Sequence, residues 1–258
     1  MAAHPHEIHT TRSIPLQQAA LFLDLDGTLA EFADTPGAVG PLAARTDLLR
    51  RAGEALNGRL AVVSGRALDE IDRIVEGAAA CAAGVHGLQR RSASGVVLSA
   101  SPHPALPDAE AQLRAFAAER PGLLVEPKSL SVAVHYRNAP DQEVAVRRRV
   151  RDLAAGMGLA IQEGEFVVEL KTPGADKGCA VQAFMAEPPF RGATPIFVGD
   201  DITDEAAFAE AQSLGGLGVL VGRRSHTAAV ARLRDVSEVM AWLDRSLDTG
   251  AFRLEAAA

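Results

Sequence analysis

Short runs of consecutive apolar residues alternate along the chain with segments in which apolar residues recur every three to four positions. Residues 21–25 (LFLDL), 60–63 (LAVV), 81–85 (CAAGV), 195–198 (PIFV) and 217–221 (LGVLV) are short, apolar and bounded by turn residues. Strands buried on both faces have this form. Between them, residues 66–75 carry Leu68, Ile71 and Ile74 or Val75 at helical spacing, and residues 178–186 read as a second helix. The alternation predicts an α/β fold with a doubly wound, Rossmann-like parallel sheet and crossover helices.

The rhythm breaks in the middle of the chain. The stretches "SASPHPALP" (99–107) and "KTPGA" (171–175) are punctuated by proline and glycine. Between them the pattern becomes helix (108–119), two strands (122–126, 130–137), helix (140–156) and two strands (159–163, 166–170). The segment "LSVAVHYR" alternates as a half-exposed antiparallel strand does. A smaller α+β cap, residues 104–171, is therefore expected to be inserted into a core made of 20–103 and 172–248. Residues 1–19 are expected to be a flexible N-terminal tail, and 249–258 a C-terminal tail.

At 258 residues, 48% hydrophobic and with a net charge of −7, the chain buries a sizeable core and is a poor candidate for binding nucleic acid. No apolar run reaches the length of a membrane span, and the N-terminus lacks the apolar core of a signal peptide, so a cytoplasmic location is expected. Cys81 and Cys179 lack metal-type spacing and are expected to be buried free thiols. The N-terminal His4, His6 and His9 have the look of a metal tract, but in a terminus expected to be disordered they are assigned no site. Oligomeric state is not fixed by these features, a monomer being favoured.

The chemistry starts where the first apolar strand ends in carboxylates, in "LFLDLDGTLAEF" (21–32). In an open α/β sheet, ligands collect at the carboxyl ends of strands, and Asp24, Ser64 and Asp200 all fall at such ends. Asp24 and Asp26 are two residues apart, which in extended backbone points both side chains the same way. One carboxylate of such a pair suits attack on an electrophile, and the other suits proton transfer to the leaving oxygen. Two close carboxylates repel unless a cation sits with them, and "VGDDITDE" (198–205) supplies further hard oxygen ligands suited to Mg²⁺. Gly27 and Thr28 allow a tight turn whose amides could face an anion, so the substrate is expected to be a phosphate. Ser64 offers a hydroxyl donor or a helix cap, and Lys177 opens a helix where its charge favours phosphate oxygens. There is no P-loop and no G-x-S-x-G elbow, and the glycines of "GGLGVLVG" miss the dinucleotide spacing.

"DLDGTL", "SGR", "DKG" and "GDDITDE", in this order, resemble the four motifs of the haloacid dehalogenase (HAD) superfamily of aspartate-dependent phosphotransferases. More narrowly, "AGVHGLQRR" (83–91), "EPKSLSVAVHYR" (126–137), "FVVELKTPGADKG" (166–178) and "TPIFVGDDITDE" (194–205) resemble the trehalose-6-phosphate phosphatase family, a resemblance that covers roughly 20–245. It implies a Mg²⁺-dependent phosphatase acting on trehalose 6-phosphate through an aspartyl-phosphate intermediate. Asp24 would be the nucleophile, and Asp26 the general acid and base, which also meets the metal through its backbone carbonyl. Ser64 and Lys177 would hold the phosphoryl group. Asp200 would complete the metal set of Asp24, Asp26 and Asp200, with Asp201 or Asp204 in a supporting or alternative place. Arg66, His86, Glu126, Lys128, His135, Arg137 and Glu169 would bind the substrate. Gln89 departs from the glutamate common in the family and is left out of the site.

Two alternatives remain open to the sequence. The same core motifs serve a phosphatase or phosphomutase for another sugar phosphate, since the cap sets the substrate. A catalytically silent sugar-phosphate binding module is the third reading, disfavoured by the intact Asp24, Asp26, Lys177 and Asp200 set.

Overall fold

The computed structural model describes residues 11–33 and 35–255. Its elements in chain order are β1 (Thr11–Pro15), β2 (Ala19–Leu23), α1 (Ala43–Ala55), β3 (Leu60–Val63), α2 (Leu68–Val75), β4 (Cys81–Gly84), β5 (Gln89–Arg91), β6 (Val97–Ser99), α3 (Leu106–Ala118), β7 (Leu124–Pro127) and β8 (Ser131–His135). They continue with α4 (Glu143–Met157), β9 (Ala160–Gly164), β10 (Val167–Lys171), α5 (Lys177–Met185), β11 (Thr194–Gly199), α6 (Glu205–Ser213), β12 (Leu217–Val221), β13 (Ala231–Leu233), α7 (Val236–Thr249) and β14 (Ala251–Glu255).

The larger sheet has the order β13-β12-β11-β2-β3-β4-β5-β6. It is parallel from β13 to β4 and antiparallel where β5 and β6 fold back on its edge. All five positions of β2 are buried, so both faces must be apolar. Ala19, Leu21 and Leu23 pack on one side with residues of α1, α2 and α7, whereas Ala20 and Phe22 pack on the other with Val181, Phe184 and Phe208 of α5 and α6. Because β3 lies on one side of β2 and β11 on the other, the strand order reverses at β2. The crevice beyond its carboxyl end is the topological switch point of the sheet.

The smaller sheet is antiparallel, in the order β7-β8-β10-β9. Val125, Val132, Val134, Val168 and Leu170 pack with Leu113, Val146, Val150 and Leu153 of α3 and α4, forming a core of its own. The period of two then dictates what the other face carries. Ala133 is paired with Glu126 on one neighbouring strand and Glu169 on the other, so two carboxylates flank it.

The tails expected at 1–19 and 249–258 are corrected for the described residues. β1 pairs antiparallel with β14, from Thr11 opposite Glu255 to Pro15 opposite Ala251. Phe252 and Leu254 alternate with Arg253 and are buried in the main core, and the Trp242 indole N–H donates to the Arg253 carbonyl at 3.0 Å. His4, His6 and His9 lie outside the described residues.

Other boundaries shift modestly. The helix expected at 66–75 begins at Leu68 with Ala67 as its cap, so Ser64 is not its N-cap. The 140–156 helix opens with a 3₁₀ turn at Pro140–Gln142 before α4 begins. α1, α6, α7, β5, β6 and β13 had no sequence assignment. Among the described residues, no helix is long and apolar enough to cross a membrane.

Candidate active site

Asp24 follows the last residue of β2, and its N–H donates to the Val198 carbonyl of β11 at 2.9 Å, which fixes it at the switch point. Lys177, the first residue of α5, is 2% exposed and reaches the same point. Its Nζ lies 3.0 Å from Asp24 Oδ1 and 2.7 Å from Asp204 Oδ1. Asp176 caps this helix by accepting from the Cys179 N–H at 2.8 Å, so the register that delivers Lys177 is set locally.

Asp204 is fully buried and spends its second oxygen on the N–H groups of Asp200 (3.0 Å) and Asp201 (2.9 Å). A side chain at Gly199 would place Cβ 2.3 Å from the Asp204 carboxyl carbon, which explains the glycine there. Carboxylate oxygens of Asp24, Asp200 and Asp204 lie within 4.8 Å of one another. Since Asp204 is engaged on both oxygens, Asp24 and Asp200 are the pair available to a ligand.

Charge in this cluster is unbalanced. Burial, then the carboxylates of Asp204 and Asp26, push Asp24 up to about 8 against the pull of Lys177. Burial, then Asp24 and Asp204, push Asp200 up to about 9. Burial opposes the charge on Lys177, yet Asp204 and Asp24 outweigh it and raise its pKa. One ammonium does not neutralise three carboxylates, and an all-oxygen donor set of this kind suits a hard divalent cation. The residues therefore fit a metal of the Mg²⁺ type.

Asp24 and Asp26 line the same cavity but have different side-chain partners, Asp26 having already left the strand. β2 stops at Leu23, and the chain turns through Gly27, whose N–H donates to the Ala30 carbonyl at 2.7 Å. That amide is used within the turn and does not face an anion. The Asp26 carboxylate is instead held in a bidentate fork by Arg66, with Nε to Oδ2 at 2.7 Å and Nη2 to Oδ1 at 2.8 Å. Glu70, four residues on from Arg66 in the first turn of α2, accepts from its Nη1 at 3.2 Å. Ser64 Oγ accepts from the Arg66 N–H at 3.2 Å, so the "SGR" turn is tied to itself.

The polar face of the smaller sheet closes over this crevice. Glu169, 4% exposed, lies 3.4 Å from Lys128 Nζ and 3.4 Å from His86 Nε2. Lys128 also donates to the Gly65 carbonyl at 3.3 Å, joining the two sheets. Glu126 and His135 Nε2 are 2.8 Å apart. Burial opposes ionisation of Glu169, but Lys128 and the hydrogen bond from His86 hold its pKa well below the usual carboxylate range. Burial lowers the His86 pKa and outweighs Glu169, favouring the neutral imidazole, and its buried Nδ1 has no hydrogen-bond partner among the described residues.

A single cavity is lined by Asp24, Asp26, Ser64, Arg66, His86, Glu126, Lys128, His135, Arg137, Glu169, Lys177 and Asp200, every site residue named from the sequence. It is also lined by Phe32, Glu70, Asn138, Gln162, Phe166 and Thr203, which the sequence reading missed. Only Glu70 carried a usable signal, its place four residues after Arg66. Gln89 stands outside the lining, its side chain meeting the Leu68 N–H at 3.3 Å and Ser129 Oγ at 3.4 Å. Cys81 is buried as expected, but Cys179 is exposed, because α5 buries Lys177, Gly178, Ala180 and Val181 instead.

The geometry agrees with what the chain is similar to. A family model described as Trehalose-phosphatase matches residues 22–237. A probable trehalose-phosphate phosphatase of Sinorhizobium fredii (strain NBRC 101917 / NGR234) is 40% identical over 223 residues, covering 86% of this chain and 84% of the relative. The trehalose-6-phosphate phosphatase of Escherichia coli (strain K12) is 40% identical over 229 residues, covering 87% and 85%. Among solved structures, a trehalose-6-phosphate phosphatase related protein superposes with a TM-score of 0.72 at 28% identity, covering 89% of this chain and 97% of that one. The C-terminal domain of the C. albicans trehalose-6-phosphate phosphatase, 18% identical with a TM-score of 0.79 over 90% of this chain and 92% of its own, shares the fold. With its switch-point aspartates, its doubly wound α/β core and a family match running from β2 to α7, the chain belongs to the trehalose-phosphatase family.

Proposed function

We propose that this chain hydrolyses trehalose 6-phosphate to trehalose and inorganic phosphate, with residues 104–171 serving as the cap over a core of 20–103 and 172–248. One observation carries the reading: the Asp24 cluster and the Glu126, Lys128 and Glu169 face of the smaller sheet line the same cavity. A phosphate ester needs the first, and a polyhydroxylated leaving group suits the second, because carboxylates accept from sugar hydroxyls and cations donate to them.

Asp24, ionised, attacks phosphorus and forms an aspartyl phosphate while the bond to the sugar oxygen breaks. Asp26 gives its proton to that leaving oxygen, then takes one from the water that opens the acyl phosphate. Ser64 and Lys177 donate to the phosphoryl oxygens, Lys177 from a position fixed by Asp204. Mg²⁺, held by Asp24, Asp200 and the backbone carbonyl of Asp26, would supply the positive charge that lets phosphate approach these carboxylates. Asp201 and Asp204 support the loop that carries Asp200.

We take the enzyme to act as a monomer in the cytoplasm on this small-molecule substrate, without nucleic-acid or membrane partners. The test of the chemistry is phosphate release by Asp24→Asn, expected to fall on the order of 10⁴-fold or more with binding retained. Substantial residual turnover would remove Asp24 from the role of nucleophile.

A further inference from the structure

Arg137 is held between two aromatic rings from different parts of the chain. Its guanidinium carbon lies 5.4 Å from the Phe32 ring centroid and 5.1 Å from that of Phe166. Phe166 sits in the turn between β9 and β10, and its ring meets Tyr136 edge-on at 6.1 Å. Its carbonyl accepts from the Tyr136 N–H at 2.9 Å, and its φ of +57° is a conformation bulky residues rarely adopt. Phe166 is thus a fixed platform within the smaller unit. Phe32 comes from the other side, on the loop that continues from the Asp24–Ala30 turn, and it is 45% exposed.

A guanidinium sandwiched between ring faces gives up rotational freedom but keeps the N–H donors at its edge directed outward. All three side chains line the cavity. We propose that Phe32 is a positioning residue: it clamps Arg137 against Phe166 across the crevice, fixing the guanidinium edge for the sugar hydroxyls and coupling the catalytic loop to the smaller sheet. This rests on the function proposed above.

The test is a double-mutant cycle on the full chain, with Phe32→Ala, Arg137→Ala and the double variant. Kinetics with trehalose 6-phosphate should show Phe32→Ala raising KM about five-fold with a smaller change in kcat. Phe32→Trp should restore KM, and the double variant should be no worse than Arg137→Ala. Losses that multiply in the double variant, or failure of Trp to rescue, would overturn the clamp. The same cycle on urea unfolding needs no substrate: non-additive midpoints support the contact, and additive midpoints overturn it. Wild-type inactivity toward trehalose 6-phosphate, with coupling intact in unfolding, would sink the proposed function and leave the clamp standing.

Discussion

Arg66 holds Asp26 by both carboxylate oxygens, at 2.7 and 2.8 Å, although the two residues are 40 positions apart in sequence. The fork orients the carboxylate assigned to proton transfer and favours its ionised form, the form that takes a proton from the attacking water. Lysine offers a point charge and no planar fork. Arg66→Lys should therefore lower kcat by about ten- to a hundred-fold, with a smaller change in KM. Steady-state kinetics check this, and an unchanged kcat would return Arg66 to substrate binding alone.

Gly27 has φ +74°, and a side chain there would put Cβ 2.2 Å from Asp200 Oδ2. Gly27→Ala should displace Asp200 and raise the Mg²⁺ concentration for half-activation by about ten-fold or more, as disturbed support of a metal ligand does. A titration of activity against Mg²⁺ reads this directly. An unaltered curve would mean that Asp200 does not hold the metal.

Lys128 and Glu169 form a pair whose side chains are 13% and 6% exposed. Removing the cation leaves a buried carboxylate, so Lys128→Ala should destabilise the fold by about 3–5 kcal/mol, measured by urea unfolding. Because the folded pKa of Glu169 lies below its ordinary 4.5, its contribution is fully present above that value. It is lost as the pH falls from there towards the folded pKa. The stability difference between wild type and Glu169→Gln should accordingly be flat from pH 6 to 8 and shrink only in acid.

His86 titrates in a different window. Its folded pKa lies below the ordinary 6.5, so the unfolded chain takes up a proton first as the pH falls through 6.5. Its neutral form supports the fold above 6.5, and that support declines below it. Thermal midpoints between pH 7.5 and 5 should fall more steeply for wild type than for His86→Asn, whereas parallel curves would show that folding leaves the His86 pKa where it is in the unfolded chain.

Much of this site was legible because short motifs at strand ends imply convergence whenever a sheet is parallel. Asp24, Ser64 and Asp200 follow strands whose apolar runs are plain, whereas "LSVAVHYR", expected to be half-exposed, is buried from Leu130 to Val134. What stayed hidden depends on tertiary pairing. The ring of Phe32 against Arg137 leaves no periodic trace. Nor do "TRSIP" and "AFRLE", which form a ribbon only because the ends meet. Strand "QRR" has no apolar residue at all, and Cys179 is apolar in its neighbourhood yet faces outward on α5.

Glu126 sits beside His135 on the polar face of the smaller sheet. Glu126→Ala should reduce kcat/KM for trehalose 6-phosphate by about ten-fold or more, and for a small aryl phosphate much less. Equal losses on both would make Glu126 a structural residue.

The central claim joins aspartate chemistry in the core to a disaccharide reader above it. It is tested most directly by phosphate release from trehalose, sucrose, glucose and mannose 6-phosphates, each with Mg²⁺ and with chelator. Strong, chelator-sensitive release from trehalose 6-phosphate, far above the other three, is the expected result. Preference for another of these esters, or release that persists under chelation, would contradict the account.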